Sequence, residues 1–113
     1  MKIGIGQSAF VTGAATGIGE ALVVRLQREG WQVFAGYRRR PPRKARWFGM
    51  PNVLAVPCDV TDPEQVAAAA STVDEHTGGR LDLLINNAGY APHDGVGTAV
   101  ALSSLACLAA ATV

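Results

Sequence analysis

The sequence predicts an α/β fold built on a parallel sheet, and three observations carry that reading. Four short apolar runs recur along the first 85 residues, each bounded by glycine, proline or asparagine turns. The segments between the first and second runs and between the third and fourth switch to a helical period. The resulting order, β-α-β-(short α)-β-α-β, favours parallel strands joined by helical crossovers. Composition agrees with one small domain: 113 residues, 49% hydrophobic, 17% charged, 13 glycines and a net charge of +1. These values exclude a disordered chain, a collagen-like repeat and a disulfide scaffold. The near-neutral charge and 6% aromatic content argue against nucleic acid or an anionic membrane as a partner.

The first strand is predicted over residues 7–13 (QSAFVTG), an apolar run ending in a glycine turn. A helix follows from Gly17, with Ile18, Leu22 and Leu26 on its apolar stripe, Ala21 and Arg25 alongside, and Gly30 as its stop. Residues 32–37 (QVFAGY) form the second strand. The basic stretch 38–50 opens with Pro41-Pro42 and leaves room for at most two helical turns over 43–48, with Trp47 and Phe48 placed to cover a sheet face. A third strand is predicted at 53–56 (VLAV).

Next, Thr61-Asp62-Pro63-Glu64 reads as a capping box with Thr61 at the N-cap, Pro63 near the first helical position and Glu64 at N3. Val66, Ala69, Ala70 and Val73 form the inward face of that helix, and Gly78-Gly79 end it. The fourth strand is predicted at 81–85, leading into Asn86-Asn87-Ala88-Gly89. After Gly89 the rhythm stops. Residues 1–90 form the predicted domain, and residues 91–113 an apolar tail, uncharged from Gly95 on, with helical potential.

Residues 96–113 carry no charge over 18 positions, the lower edge of a membrane span, but they are built from Ala, Ser and Thr and lack basic or aromatic anchors. A small-residue helix packed on protein is expected, with no membrane span. Two further readings of the tail stand beside this one: a helix laid over the fourth strand, whose open edge otherwise invites self-association, and a foreign C-terminus from an altered reading frame. Cys58 and Cys107 show no metal-ligand or CxxC spacing, and the N-terminus is no export signal, so reduced thiols and a cytoplasmic protein are expected.

Residues 12–19 (TGAATGIG) lie between the first strand and the first helix, the context in which glycines build a phosphate loop. Gly13 permits the turn, Gly17 lets backbone approach a ligand, and Gly19 lets the helix lie close to the sheet. First-turn amides lack intrahelical acceptors and sit at the positive end of the helix dipole, so an anion there is stabilised without a basic side chain. The spacing G-x-x-x-G-x-G is neither the G-x-G-x-x-G fingerprint nor a P-loop.

TGAATGIG, then Asp59-Val60 after the third strand, then NNAG after the fourth, resembles the short-chain dehydrogenase/reductase family over roughly residues 7–90. The resemblance implies the amino-terminal, cofactor-binding half of that family: a partial Rossmann-type sheet with strand order 3-2-1-4. It implies that Gly13, Thr16, Gly17, Ile18 and Gly19 line the diphosphate and nicotinamide ribose of a nicotinamide dinucleotide. Asp59 would bond the adenine amino group with Val60 against the ring. Asn86, Ala88 and Gly89 would lie under the cofactor and tie neighbouring strands together.

An acid at the end of the second strand takes the ribose hydroxyls in NAD enzymes of this architecture. Here Tyr37 stands there, followed by Arg38 and Arg39. A guanidinium clamps a 2′-phosphate through paired hydrogen bonds, so NADP(H) is expected over NAD(H), with Arg38 first and Arg39 second. Six of the ten basic residues lie between Arg38 and Arg46; no base-reading element accompanies them, and a nucleic-acid role is set aside.

Members of the family pair hydride transfer with a tyrosine and a lysine four residues on, the lysine lowering the phenol pKa from about 10. Tyr37 and Tyr90 are followed four residues on by Pro41 and Asp94, and the lysines are Lys2 and Lys44. No catalytic residue is assigned, and His93-Asp94 with Ser103 lack a nucleophile elbow. The expectation is an NAD(P)-binding protein inactive by itself because the Ser/Tyr/Lys half is missing. The alternative is a non-catalytic interaction module or a fragment without function.

Overall fold

A strand with both faces covered must be apolar along its whole length, and the runs at residues 8–11 and 32–37 meet that demand. A computed structural model describes residues 6–87. Its elements are β1 (Ser8–Val11), α1 (Gly17–Arg28), β2 (Gln32–Tyr37), β3 (Val53–Pro57), α2 (Pro63–Thr77) and β4 (Leu83–Ile85). The four strands are parallel in the order β3-β2-β1-β4, as the sequence predicts. From β1 through β3 the chain moves in one direction across the sheet and then jumps back over β1 to β4. Right-handed crossovers therefore place α1 and α2 on opposite faces.

Side-chain alternation sorts the core into two layers. Phe10 and Phe34 point to the α2 face, where they pack with Val56, Cys58, Val60, Val66, Ala69, Val73 and Leu81. Val11, Val33 and Ala35 point the other way, toward Val23 and Val24 of α1 and toward Trp47. The two phenylalanine rings stack with centroids 6.4 Å apart.

Several predicted details shift. α1 turns Gly19, Val23 and Val24 toward the sheet and leaves Ile18 72% exposed, so the stripe through Ile18 and Leu22 is not the buried face. Gly19 sets this register: where backbone must touch backbone, the residue without a side chain faces inward and its larger neighbours rotate away. β1 and β4 are shorter than predicted. Thr12 leaves the ladder for the loop, while Leu81 drops into the α2-side core and Asp82 accepts the Ser8 N–H at 2.8 Å.

α2 starts one residue later than the capping box implies. Asp62 is the N-cap and its carboxylate accepts from the amides of Glu64 and Gln65, while the Thr61 hydroxyl donates to Asp59 Oδ1 at 2.6 Å. Val66, Ala69 and Val73 are buried as expected, Ala70 is half-buried, and Gly78 closes the helix in the left-handed conformation. Residues 38–50 contain no regular helix. They run through successive tight turns (Ala45 N–H to Pro42 O, Phe48 N–H to Ala45 O, Met50 N–H to Trp47 O, each 2.9–3.0 Å). Trp47 covers the sheet at 1% exposure, but Phe48 stays 43% exposed.

Among the described residues no helix is long and apolar enough to cross a membrane. The tail, Cys107, Ala88 and Gly89 lie outside the described residues.

The core layers make opposite predictions for two large apolar residues. Phe34→Ala is expected to cost about 3–5 kcal/mol in urea unfolding, and Ile18→Ala to stay within about 0.5 kcal/mol. Asp62→Ala is expected to cost about 1 kcal/mol by loss of the α2 cap.

Candidate functional site

The carboxyl ends of parallel strands collect loops at one edge of the sheet, and that edge holds nearly every residue singled out in the sequence. The chain leaves β1 through Thr12, turns at Gly13 (φ 61°), passes Ala14 and Thr16, and enters α1 at Gly17 (φ 60°). At Gly17 a left-handed backbone disfavours any side chain, and a Cβ there meets nothing within 4 Å, so the loop is open on that side. At Gly19 the opposite holds. A Cβ would collide with the Gly13 carbonyl and lie 2.6 Å from Asn87 Nδ2, so helix, loop and the end of β4 meet with no space for a side chain.

Fixed hydrogen bonds hold the loop. Ala14 N–H donates to Gly36 O at 2.9 Å, and Trp47 Nε1–H donates to Ala14 O at 2.8 Å. Asn87 donates its amide N–H to Thr12 Oγ1 at 2.9 Å and its side-chain NH2 to Gly13 O at 3.3 Å. Asn86 Oδ1 takes a longer bond from Thr12 Oγ1, at 3.3 Å. Asn87 joins Asn86 in linking the end of β4 to the end of β1. Thr12, Trp47, Glu20 and Asn87 are missing from the predicted set. For Asn87 the second asparagine of NNAG is the available signal; for Trp47 and Glu20 nothing local in the sequence points to the loop.

The start of α1 is uncapped. Thr16 stands at the N-cap position without a side-chain hydrogen bond to the first turn, in contrast to Asp62 on α2. Thr16, Gly17 and Ile18 are exposed, and Thr16 lines a cavity of about 500 Å³. Ala15, Thr16 and Glu20 line one side of it, and Arg40, Arg43 and Lys44 line the other. Uncapped amides lie at the positive end of the helix dipole, and general principle makes such a helix start favourable for an anion.

Beyond β2 and β3, Arg38 Nε lies 3.6 Å from Asp59 Oδ2. Burial alone would push the Asp59 carboxyl up, but hydrogen bonds from the Thr61 hydroxyl and amide and the Arg38 guanidinium outweigh it and hold the group below its ordinary value. Arg39 is exposed next to this pair. The Val60 side chain belongs to the α2-side core at 5% exposure, so it offers the site its main chain rather than an apolar face. Neighbouring Cys58 is buried, first by desolvation and second by the charge of Asp59 pushed up to about 11. It is no nucleophile at neutral pH. No group of three or more His, Cys, Asp or Glu among the described residues is arranged to hold a metal ion.

These two groups give opposite pH limbs. Between 9.0 and about 11 the unfolded Cys58 thiol has lost its proton while the folded one keeps it, so stability falls across that window. Asp59 works in the other sense: its contribution is present above 3.8 and is lost as pH drops through the lower folded value. Urea midpoints against pH are expected to show a shallower alkaline limb in Cys58→Ala and a shallower acid limb in Asp59→Asn.

Comparison with known proteins matches this geometry to a family. The family model for short chain dehydrogenases matches residues 7–107. A short-chain dehydrogenase of Penicillium crustosum is 37% identical over 84 residues, covering 74% of this chain and 31% of its own length. The NAD(+)-linked 15-hydroxyprostaglandin dehydrogenase of Bos taurus is 37% identical over 91 residues, covering 74% and 34%. The crystal structure of an NADPH-bound carbonyl reductase from chicken fatty liver superposes with a TM-score of 0.75 at 31% identity, covering 99% of this chain and 50% of that one. The chain thus spans about a third of the length of these curated relatives and half of that structure. With a parallel β3-β2-β1-β4 sheet and a glycine loop closed onto its first helix, the chain belongs to the short-chain dehydrogenase family.

Proposed function

We propose that the chain binds a nicotinamide dinucleotide, NADP(H) in preference to NAD(H), and that residues 1–113 hold it without turning it over. The observation that carries this reading is the uncapped start of α1 at Thr16, which lines a cavity together with Arg40, Arg43 and Lys44. The cradle fits the group: Gly17 leaves its backbone accessible, and Gly19 lets α1 come down onto the loop. The diphosphate lies along Gly13, Thr16, Gly17, Ile18 and Gly19, against first-turn amides. Adenine lies beside Asp59 and the main chain of Val60, with Asn86, Ala88 and Gly89 under the cofactor.

Preference for the 2′-phosphate rests on charge at the end of β2. No carboxylate stands at Tyr37, Arg38 or Arg39, and Arg38 is held in place by Asp59. A dianionic phosphate gains a charge-assisted bond there, where a ribose hydroxyl gains an ordinary one. The NAD(+) and NADPH in the relatives' names belong to those proteins and favour neither choice here.

When bound, the nicotinamide ring supplies a hydride donor or acceptor for a carbonyl or alcohol. The proton that must move with it needs a phenol made acidic by a nearby ammonium. Tyr37 and Tyr90 have no lysine four residues on, which is why binding without turnover is proposed.

Calorimetric titration tests the reading. NADPH is expected to bind about tenfold or more tightly than NADH, the worth of one charge-assisted hydrogen bond. Arg38→Ala is expected to close most of that gap, and Gly17→Val to weaken both cofactors. No NADPH is expected to be consumed with simple aldehydes or ketones. Tighter NADH binding overturns the preference, and consumption that Gly17→Val abolishes overturns the non-catalytic part.

A further inference from the structure

Ala14 is bound at both of its polar groups: its N–H reaches Gly36 O on β2, and its carbonyl accepts the indole N–H of Trp47 at 2.8 Å. The indole comes from 33 residues along the chain and is 1% exposed. One residue earlier, the Arg46 amide donates to Glu20 Oε2 at 2.9 Å, and Arg46 Nε lies 3.4 Å from Glu20 Oε1. Adjacent residues of the basic excursion thus grip the glycine loop and the first turn of α1.

We propose that Trp47 is a positioning residue for the anion site, its indole locking the excursion onto the glycine loop so that the cation wall stands at a fixed distance from α1's amides. The proposal rests on the NADP(H) reading only for what the wall recognises. The physical case has three parts. A carbonyl engaged by the indole is not free to turn its oxygen toward an anion at the helix start. A carboxylate one turn into α1 would repel that anion, and Arg46 neutralises it. The excursion has no helix of its own, so without these two attachments nothing periodic would hold Arg40, Arg43 and Lys44 across the cavity from Thr16.

The test compares the wild-type chain with Trp47→Phe, which keeps an aromatic ring and loses the N–H. Three measurements are made: titrations with NADPH and NADH, backbone amide NMR spectra of the ligand-free chain, and Tm. Trp47→Phe is expected to weaken NADPH and NADH binding alike, about tenfold, because the diphosphate placed against the α1 amides is common to both. In the free chain the amides of Ala15 and Thr16 are expected to shift while those of Glu64 and Gln65 at the α2 cap stay. A lower Tm with those loop amides and both affinities unchanged overturns the proposal, leaving Trp47 as packing alone. Should Trp47→Phe fail to fold, the indole N–H resonance of the wild-type chain decides: a shift on adding NADPH supports the lock, and no shift overturns it. A wild-type chain that binds neither cofactor, or prefers NADH, overturns the proposed function, whereas the loop amides of Trp47→Phe still decide whether the indole positions the loop.

Discussion

The contact on which the site depends is the one between Gly19 and the carbonyl of Gly13, where α1 rests on the loop that leads into it. A single methyl group would push the helix off the loop and off Asn87 at the end of β4. Two features of the molecule follow from that approach. It selects the face of α1 that meets the sheet, which is why Val23 and Val24 are buried and Ile18 is not. It brings the ends of β1 and β4 under the helix, where Asn87 donates to Thr12 Oγ1 and to Gly13 O. The first turn of α1 receives no side-chain hydrogen bond from Thr16 at its N-cap.

The second half of the site is built by substitution. A parallel β2–β3 connection ordinarily carries a crossover helix that covers its face of the sheet. Here the cover is Ala45 and Trp47 in a run of tight turns, packed with Val33, Ala35 and Val11. One large side chain does the burying that a helical face would do. The rest of the segment is then free to be polar and cationic, and that frees Arg40, Arg43 and Lys44 to face the loop. The indole N–H finds its acceptor in the loop itself, as a buried tryptophan must find one somewhere. Burial and site geometry are coupled through a single ring.

Legibility in the sequence followed the range of the forces involved. β2 was readable to the residue, because its apolar run and flanking turns are local. The strand order and the glycine loop were readable through three motifs at their structural positions. The buried face of α1 was not, since a hydrophobic stripe points to the largest side chains while the actual face was set by a backbone contact with Gly13. Thr61 and Asp62 are both good caps at adjacent positions, and the choice between them turned on Asp59, which takes the threonine hydroxyl. Trp47 read correctly as cover for the sheet. Its tie to Ala14 spans 33 residues and leaves no trace in any local pattern.

The range of these contacts also bears on what a chain of this extent can do. The proposed anion cradle draws on β1, the loop, α1 and the turns after β2. All of those lie between residues 8 and 87, and each polar group that shapes the loop finds its partner there. Hydride chemistry requires more: a phenol and an ammonium placed together, and the 113 residues contain no tyrosine with a lysine four positions on. The proposed binding thus rests on a helix start and the strand ends around it, and these elements carry no tyrosine–lysine pair spaced for proton transfer.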